Sequence, residues 1–206
     1  MNRSAAVSSA LIVAIVLTLS VTVGVLLAQS SASATEPAPS VLVLPASGHV
    51  TGLPYPARCA MRHAANGRWL PDPVCTPGAA SAAVRQDNIH STICMTGYTA
   101  SVRAPEAETA RVKTTAMRSY NQPVPGRTTT ELDHQVPLEL GGSNDVKNLW
   151  PEPSDIPNGG YRNTKDSVER SLHSAVCATH PRITLVQAQN AINDDWTTAL
   201  AVLHLK

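Results

Sequence analysis

The sequence predicts an α+β domain braced by disulfides, in which a β-hairpin leads into helices, and three observations carry that expectation. Leu132, His134, Val136, Leu138 and Leu140 alternate with polar or small neighbours, the period of a strand. Gly141-Gly142-Ser143-Asn144-Asp145 then reads as a turn, with Val146 to Trp150 as the returning strand. Two amphipathic segments close the chain, and four cysteines sit behind an export-type leader.

Residues 1–34 read as that leader. Arg3 is the only charge before Glu36, Ala5 to Ala28 is almost unbroken apolar sequence, and Ala32-Ser33-Ala34 offers a small-residue cleavage site. The apolar run is also long enough, at roughly 20 residues, to span a bilayer. It is therefore either a cleaved secretory signal or an N-terminal anchor, and the membrane is a partner only in the second case. Both readings deliver residues 35–206 outside the cytoplasm, secreted or held at the membrane.

Residues 35–80 read as a Pro/Ala-rich linker followed by a loop containing Cys59 and Cys75, and 81–206 as the globular domain. Cys59, Cys75, Cys94 and Cys177 allow three pairings. The short loop favours Cys59–Cys75 with Cys94–Cys177, the other two remaining open. No close CxxC or CxxH pair supports a structural zinc. Ile89 to Val102, rich in β-branched residues around Gly97, reads as short strands or extended chain. Glu106 to Tyr120 lacks internal Pro and Gly and reads as a helix, with Asn121 to Arg127 a loop. Asn163 caps the next helix with Asp166 three residues on, and Val168, Leu172, Ala175 and Val176 line its apolar face. Thr184 and Gln187 form a capping box for the last helix, striped by Ala188, Ile192, Trp196, Ala199 and Leu203. Trp150 and Trp196 are expected to anchor the core.

Composition narrows the function. Without Arg3, Lys+Arg falls from 16 to 15, equal to the 15 Asp+Glu, so bulk electrostatic coating of nucleic acid is excluded. The chain has no Phe and few aromatics, which argues against a stacking platform for single strands. A Gly-rich phosphate loop, a GxSxG elbow and an HExxH helix are all missing. What remains is the stretch Glu131 to Pro153, where an acidic residue and a histidine stand side by side on the first strand and Asn148 returns on the second. Phosphodiester hydrolysis needs an activated water and charge neutralisation at the phosphoryl oxygens. A neutral imidazole suits the first task and a carboxylate-bound cation the second.

On Asp133, His134, Pro137, Gly141, Gly142, Asn148 and Leu149 the chain resembles the HNH endonucleases. The likeness is strongest over 131–170. The segments Ile-His-Ser-Thr-Ile-Cys at 89–94, Leu-Trp-Pro-Glu at 149–152, Lys-Asp at 165–166 and Asp-Trp at 195–196 extend it toward exported bacterial HNH-like proteins. The resemblance implies a ββα-metal (HNH-like) core with flanking helices, and an endonuclease acting on DNA, with RNA as the other substrate. It implies His134 as general base, Asn148 as the group orienting it, and Asp133 as a metal ligand. A third ligand at the helix start would be Asn163, or Asp166 one turn on. The cofactor would be a divalent ion, Mg2+ or Mn2+ ahead of Zn2+, and a monomer is expected. Two departures stand out: the spacing from Asn163 to Lys165 is shorter than in the family's helix, and the zinc knuckle of some members is missing.

Blander readings compete. A bare Asp-His dipeptide is more often a surface pair, Asn163 is an ideal helix cap, and Asp166 serves a capping box. Lys165 and Glu169 are weaker choices for a phosphate contact or a ligand, and His90 and His173 read as packed or exposed. Arg111, Lys113, Arg118, Arg127, Arg162 and Arg170 form either a phosphate rim or a solvated face. A non-catalytic, disulfide-stabilised extracellular binding or cell-envelope module on the same fold is the alternative function.

Overall fold

Short strands and helices alternate through a computed structural model that describes residues 40–122 and 124–205. The leader expected at 1–34 and the first linker residues lie outside the described residues, as does the side chain of Arg127. The class is mixed α+β. β1 (Leu42–Leu44) runs parallel to β4 (Ala79–Ser81), and β2 (Arg62–His63) pairs antiparallel with β3 (Trp69–Leu70). α1 (Tyr98–Val102) and α2 (Glu106–Ser119) precede the ribbon that matters most, β5 (Thr130–His134) antiparallel to β6 (Leu149–Pro153). α3 (Lys165–Val176), α4 (Leu185–Asp195) and α5 (Ala199–Val202) complete the chain.

The region read as a linker is structured from Ser40 onward. β1 pairs with β4, Val41 and Tyr55 are buried, and Thr51 exchanges backbone bonds with Asn144 and Val146. Its apolar residues gain more by burial than a Pro/Ala-rich composition suggests. Ile89 to Val102 is not extended: a 3-10 turn covers Gln86–Ser91 and α1 follows. Gly97, in the left-handed region at φ 86°, starts that helix, and the Ser91 and Thr92 hydroxyls donate to the Asn88 carbonyl, satisfying a group a strand would pair.

The hairpin is shorter and more sharply broken than alternation predicts. β5 stops at His134, Leu138–Leu140 forms a 3-10 turn, and Val146–Asn148 forms another, capped by the Asp145 carboxylate accepting from the Lys147 amide. The cause is Asn148. Its Oδ1 accepts from the amides of Val136 (2.9 Å) and Ala79 (3.0 Å), and its Nδ2 donates to the carbonyls of Val136 and Ser143 (both 2.9 Å). A side chain thereby replaces the ladder beyond Gln135, and Pro137 has no amide to extend it. Gly142 belongs to the same device, because a Cβ there would lie 1.8 Å from the Val136 carbonyl oxygen.

α2 packs over β5 and β6, burying Trp150 fully with Tyr55, Tyr120 and Ala116 near the Cys59–Cys75 disulfide. The larger core lies between α3, α4 and α5, around Leu140, Leu172, Val176, Ile192 and Trp196. The capping box expected at Thr184 and Gln187 is formed. Cys94–Cys177 ties the turn before α1 to the end of α3, so the favoured pairing is the one present. Two disulfides suit an oxidising compartment. Among the described residues no helix is long and apolar enough to cross a membrane.

The sequence separations of 16 and 83 residues make the two disulfides unequal. On loop-closure entropy, the Cys94→Ala/Cys177→Ala protein loses about 4.5 kcal/mol and Cys59→Ala/Cys75→Ala about 3 kcal/mol. Urea unfolding of both variants checks the order.

Candidate active site at the end of the hairpin

β5 carries Asp133 and His134 to its end, opposite Trp150 and Leu149. Their side chains part, as successive strand residues do. Asp133, 14% exposed, meets Lys165 at the start of α3, whereas His134, 8% exposed, turns to Asn144 and to an open cleft.

The His134 ring is set by a second asparagine. Asn144 Nδ2 donates to the carbonyls of Ser47 (2.9 Å) and Val102 (2.7 Å), so its Oδ1 must be the atom facing His134 Nε2, 3.0 Å away. An amide oxygen only accepts, so a neutral His134 carries its proton on Nε2 and keeps the lone pair on Nδ1. Burial pushes its pKa down to about 4, against smaller opposing contributions from the Asn144 bond and the Asp133 charge. At neutral pH the ring is therefore uncharged, with Nδ1 the basic nitrogen.

The cleft, about 430 Å³, is bounded by Arg103 and Ala104 after α1, Glu106 and Lys113 of α2, Glu131 and His134 of β5, and Tyr161. Arg103 is exposed and lowers the pKa of His134 by its charge. Lys113 Nζ lies 4.4 Å from the Tyr161 ring centroid. Glu131 is pushed up to about 7, first by burial and then by the charges of Asp133 and Asp166. A second depression, about 590 Å³ beside His49, Tyr55 and Arg111, lacks His134 and the residues around it.

On the other side of β5, Lys165 is wholly buried. Its Nζ donates to Asp133 Oδ2 (2.7 Å), to the His134 carbonyl (2.9 Å) and to Glu169 Oε1 (2.5 Å). Burial opposes its charge, but Asp133, Glu169 and Glu152 together hold its pKa above the ordinary lysine range. Burial alone would raise Asp133 too, yet the Lys165 ammonium keeps that carboxyl below its usual value. Glu152 bonds Asp133 and is held well above the usual carboxyl range by burial and the Asp133 charge. Glu169 is pushed up to about 8 mainly by burial. Within the cluster the Lys165 ammonium and the Asp133 carboxylate are thus favoured in their charged forms, while burial and the Asp133 charge disfavour ionisation of Glu152 and Glu169.

The metal ligands expected at Asp133, Asn163 and Asp166 each have a protein partner instead. Asp133 takes Lys165. Asn163 Oδ1 accepts from the Asp155 amide (3.1 Å) and its Nδ2 donates to the Tyr161 carbonyl (3.3 Å), while Asp166 Oδ2 accepts from the Asn163 amide. Asn163 is not the helix cap either. Thr164 holds that position, its amide donating to Asp155 Oδ1. Among the described residues no three His, Cys, Asp or Glu side chains are placed to hold a metal ion, so the donor set does not fit a divalent ion as it stands. Asn148, expected to orient His134, bonds the backbone two residues past it, and the bond to the ring itself comes from Asn144. His173 Nε2 lies 2.9 Å from the Ile93 carbonyl oxygen and is packed beside the second disulfide.

Sequence reasoning missed Arg103, Asn144 and Glu152. Asn144 stood within the turn motif, and its place four residues before Asn148 was the available signal. No family model, no curated protein and no solved structure matches this chain.

Two predictions follow from the buried charges and the asparagine pin. Asn148→Ala leaves four buried backbone groups without partners, and at ~1 kcal/mol or more for each the loss exceeds about 4 kcal/mol, read as a fall in the urea midpoint. A carboxyl whose folded pKa lies above its unfolded value stabilises below the unfolded value and loses that contribution as pH rises through the folded one. For Glu169 that window runs from 4.5 to about 8. Glu169→Gln, a neutral acceptor for Lys165, should therefore gain stability relative to wild type as pH rises across the window. His134 acts in the opposite sense, its contribution fading as pH falls from 6.5 toward about 4.

Proposed function

We propose that the chain is an exported phosphodiester hydrolase of nucleic acid, DNA ahead of RNA, with a core of the HNH type and His134 as general base. The observation that carries this reading is the His134 ring, uncharged and held by Asn144 through Nε2, in the wall of an open cleft, with no hydrogen bond to Nδ1 among the described residues. Water placed against Nδ1 gives up a proton as its oxygen bonds to phosphorus. The bond from phosphorus to the leaving oxygen breaks, and that oxygen takes a proton from solvent. Arg103 supplies positive charge beside the ring for the phosphoryl oxygens. The order β5, hairpin, β6, α3 supports the ββα reading, and the two disulfides support export.

The alternative, a non-catalytic extracellular module, draws on Asp133 being saturated by Lys165 rather than open toward the cleft. Plasmid nicking by the purified, disulfide-intact protein, assayed both with Mg2+ and with EDTA, separates the two. His134→Ala should lower the rate by about a hundred- to ten-thousand-fold. A variant that cuts as fast as wild type rejects His134 as the base, and no cutting in either condition favours the module.

The acid limb of kcat/KM gives a further check. A base with its pKa near 4 stays competent well below the 6.5 of a free imidazole, so the rate should hold through pH 6 and fall only toward pH 4.

A further inference from the structure

We propose that Lys165 is the resident cation of this centre: its ammonium fills, between β5 and α3, the place of a divalent ion and positions His134 through that residue's carbonyl, so cleavage proceeds without added metal. The cleavage part rests on the phosphodiesterase reading above; the occupancy part does not.

An ammonium has three hydrogens, and Lys165 places all three on oxygen: Asp133 Oδ2, the His134 carbonyl and Glu169 Oε1. The side chain is 1% exposed, so none of the three competes with water. Carboxylate and carbonyl oxygens are also the donors that Mg2+ and Mn2+ take. Here they lie 2.5, 2.7 and 2.9 Å from the nitrogen, a sphere wider than the roughly 2.0–2.1 Å of Mg2+. With the ammonium in place the cage is filled, and a smaller ion could use these oxygens only after the lysine had left and the donors had drawn in. Glu152, bonded to Asp133, closes it on the β6 side. Expelling the ammonium would leave a buried charge without its partner, which is costly.

The bond to the His134 carbonyl gives the cation its second task. With the Gln135 amide donating to the Asn148 carbonyl (2.7 Å), it fixes the backbone on both sides of the residue that carries the base. Lys165 touches no cleft-facing atom of the ring and is a positioning residue.

Mn2+ electron paramagnetic resonance on the purified protein, beside nicking assays, tests the proposal. Wild type should leave added Mn2+ free, and its cleavage should change by less than about twofold when EDTA replaces Mg2+. Lys165→Ser, which empties the cage, should gain one bound Mn2+ per chain and lose it again when Asp133→Asn is added. Lys165→Met should lower kcat by about a hundredfold with KM little changed, as a displaced base would. Mn2+ bound to wild type and released by Asp133→Asn overturns the proposal, as does wild-type cleavage abolished by EDTA. A folded Lys165→Ser protein that binds no Mn2+ overturns it too. Should that variant not fold, the wild-type spectrum decides alone, free Mn2+ sustaining the proposal and bound Mn2+ rejecting it. If wild type cuts under neither condition, the hydrolase reading fails, while the Mn2+ spectra still decide what occupies the cage.

Discussion

The site depends on one primary amide. Asn148 uses both lone pairs of Oδ1 and both hydrogens of Nδ2 on backbone groups from β4, from the chain just beyond β5 and from the turn before β6. Two stretches of the hairpin and a strand 69 residues earlier in the chain are joined by a planar group that tolerates little error in angle. Fully buried, it loses no bonding to water, and every partner it holds would otherwise be an unsatisfied group in the interior. The strand is made to end at His134 by this side chain, and Gly142 is required because the chain passes so close to the Val136 carbonyl.

The ribbon so terminated separates two electrostatic settings. Toward α3, one ammonium and three carboxyls share an almost dry space in which the Lys165–Asp133 pair is favoured in its charged form and the other two carboxyls are pushed toward neutrality. Toward the cleft, an uncharged imidazole stands beside an exposed guanidinium. Adjacent residues of a single strand serve both, and the Lys165 bond to the His134 carbonyl links them. A buried ion pair is a weak means of stabilisation, because desolvation consumes most of the attraction. Its value here lies in geometry: it allows one arrangement of β5 against α3 and penalises every other.

Several features were open to the sequence. Helix α2, the capping box at Thr184, the two buried tryptophans and the ribbon-then-helix order all follow from local chemistry, through propensity, side-chain capping and apolar period. The disulfide pairing was favoured by loop length but not determined by it. The end of β5 was hidden, since alternation through Leu140 continues past the point where Asn148 removes the ladder. Asn163 illustrates the same limit. An asparagine just before a helix satisfies a cap and a ligand equally well on paper, and it proved to serve the loop at Asp155 and Tyr161.

By itself the sequence determined which residue types gather at the hairpin: a carboxylate, an imidazole, a glycine pair and an asparagine, with helices to follow. Tertiary structure alone decided what those groups meet. Whether Asp133 faces a cation from solvent or one from the chain turns on the direction in which the first residue of α3 points, 32 positions away. The tautomer of His134 turns on Asn144, whose orientation is set by carbonyls at 47 and 102. Charge and protonation are properties of surroundings, and these surroundings are built from segments that neighbour one another only in the folded chain.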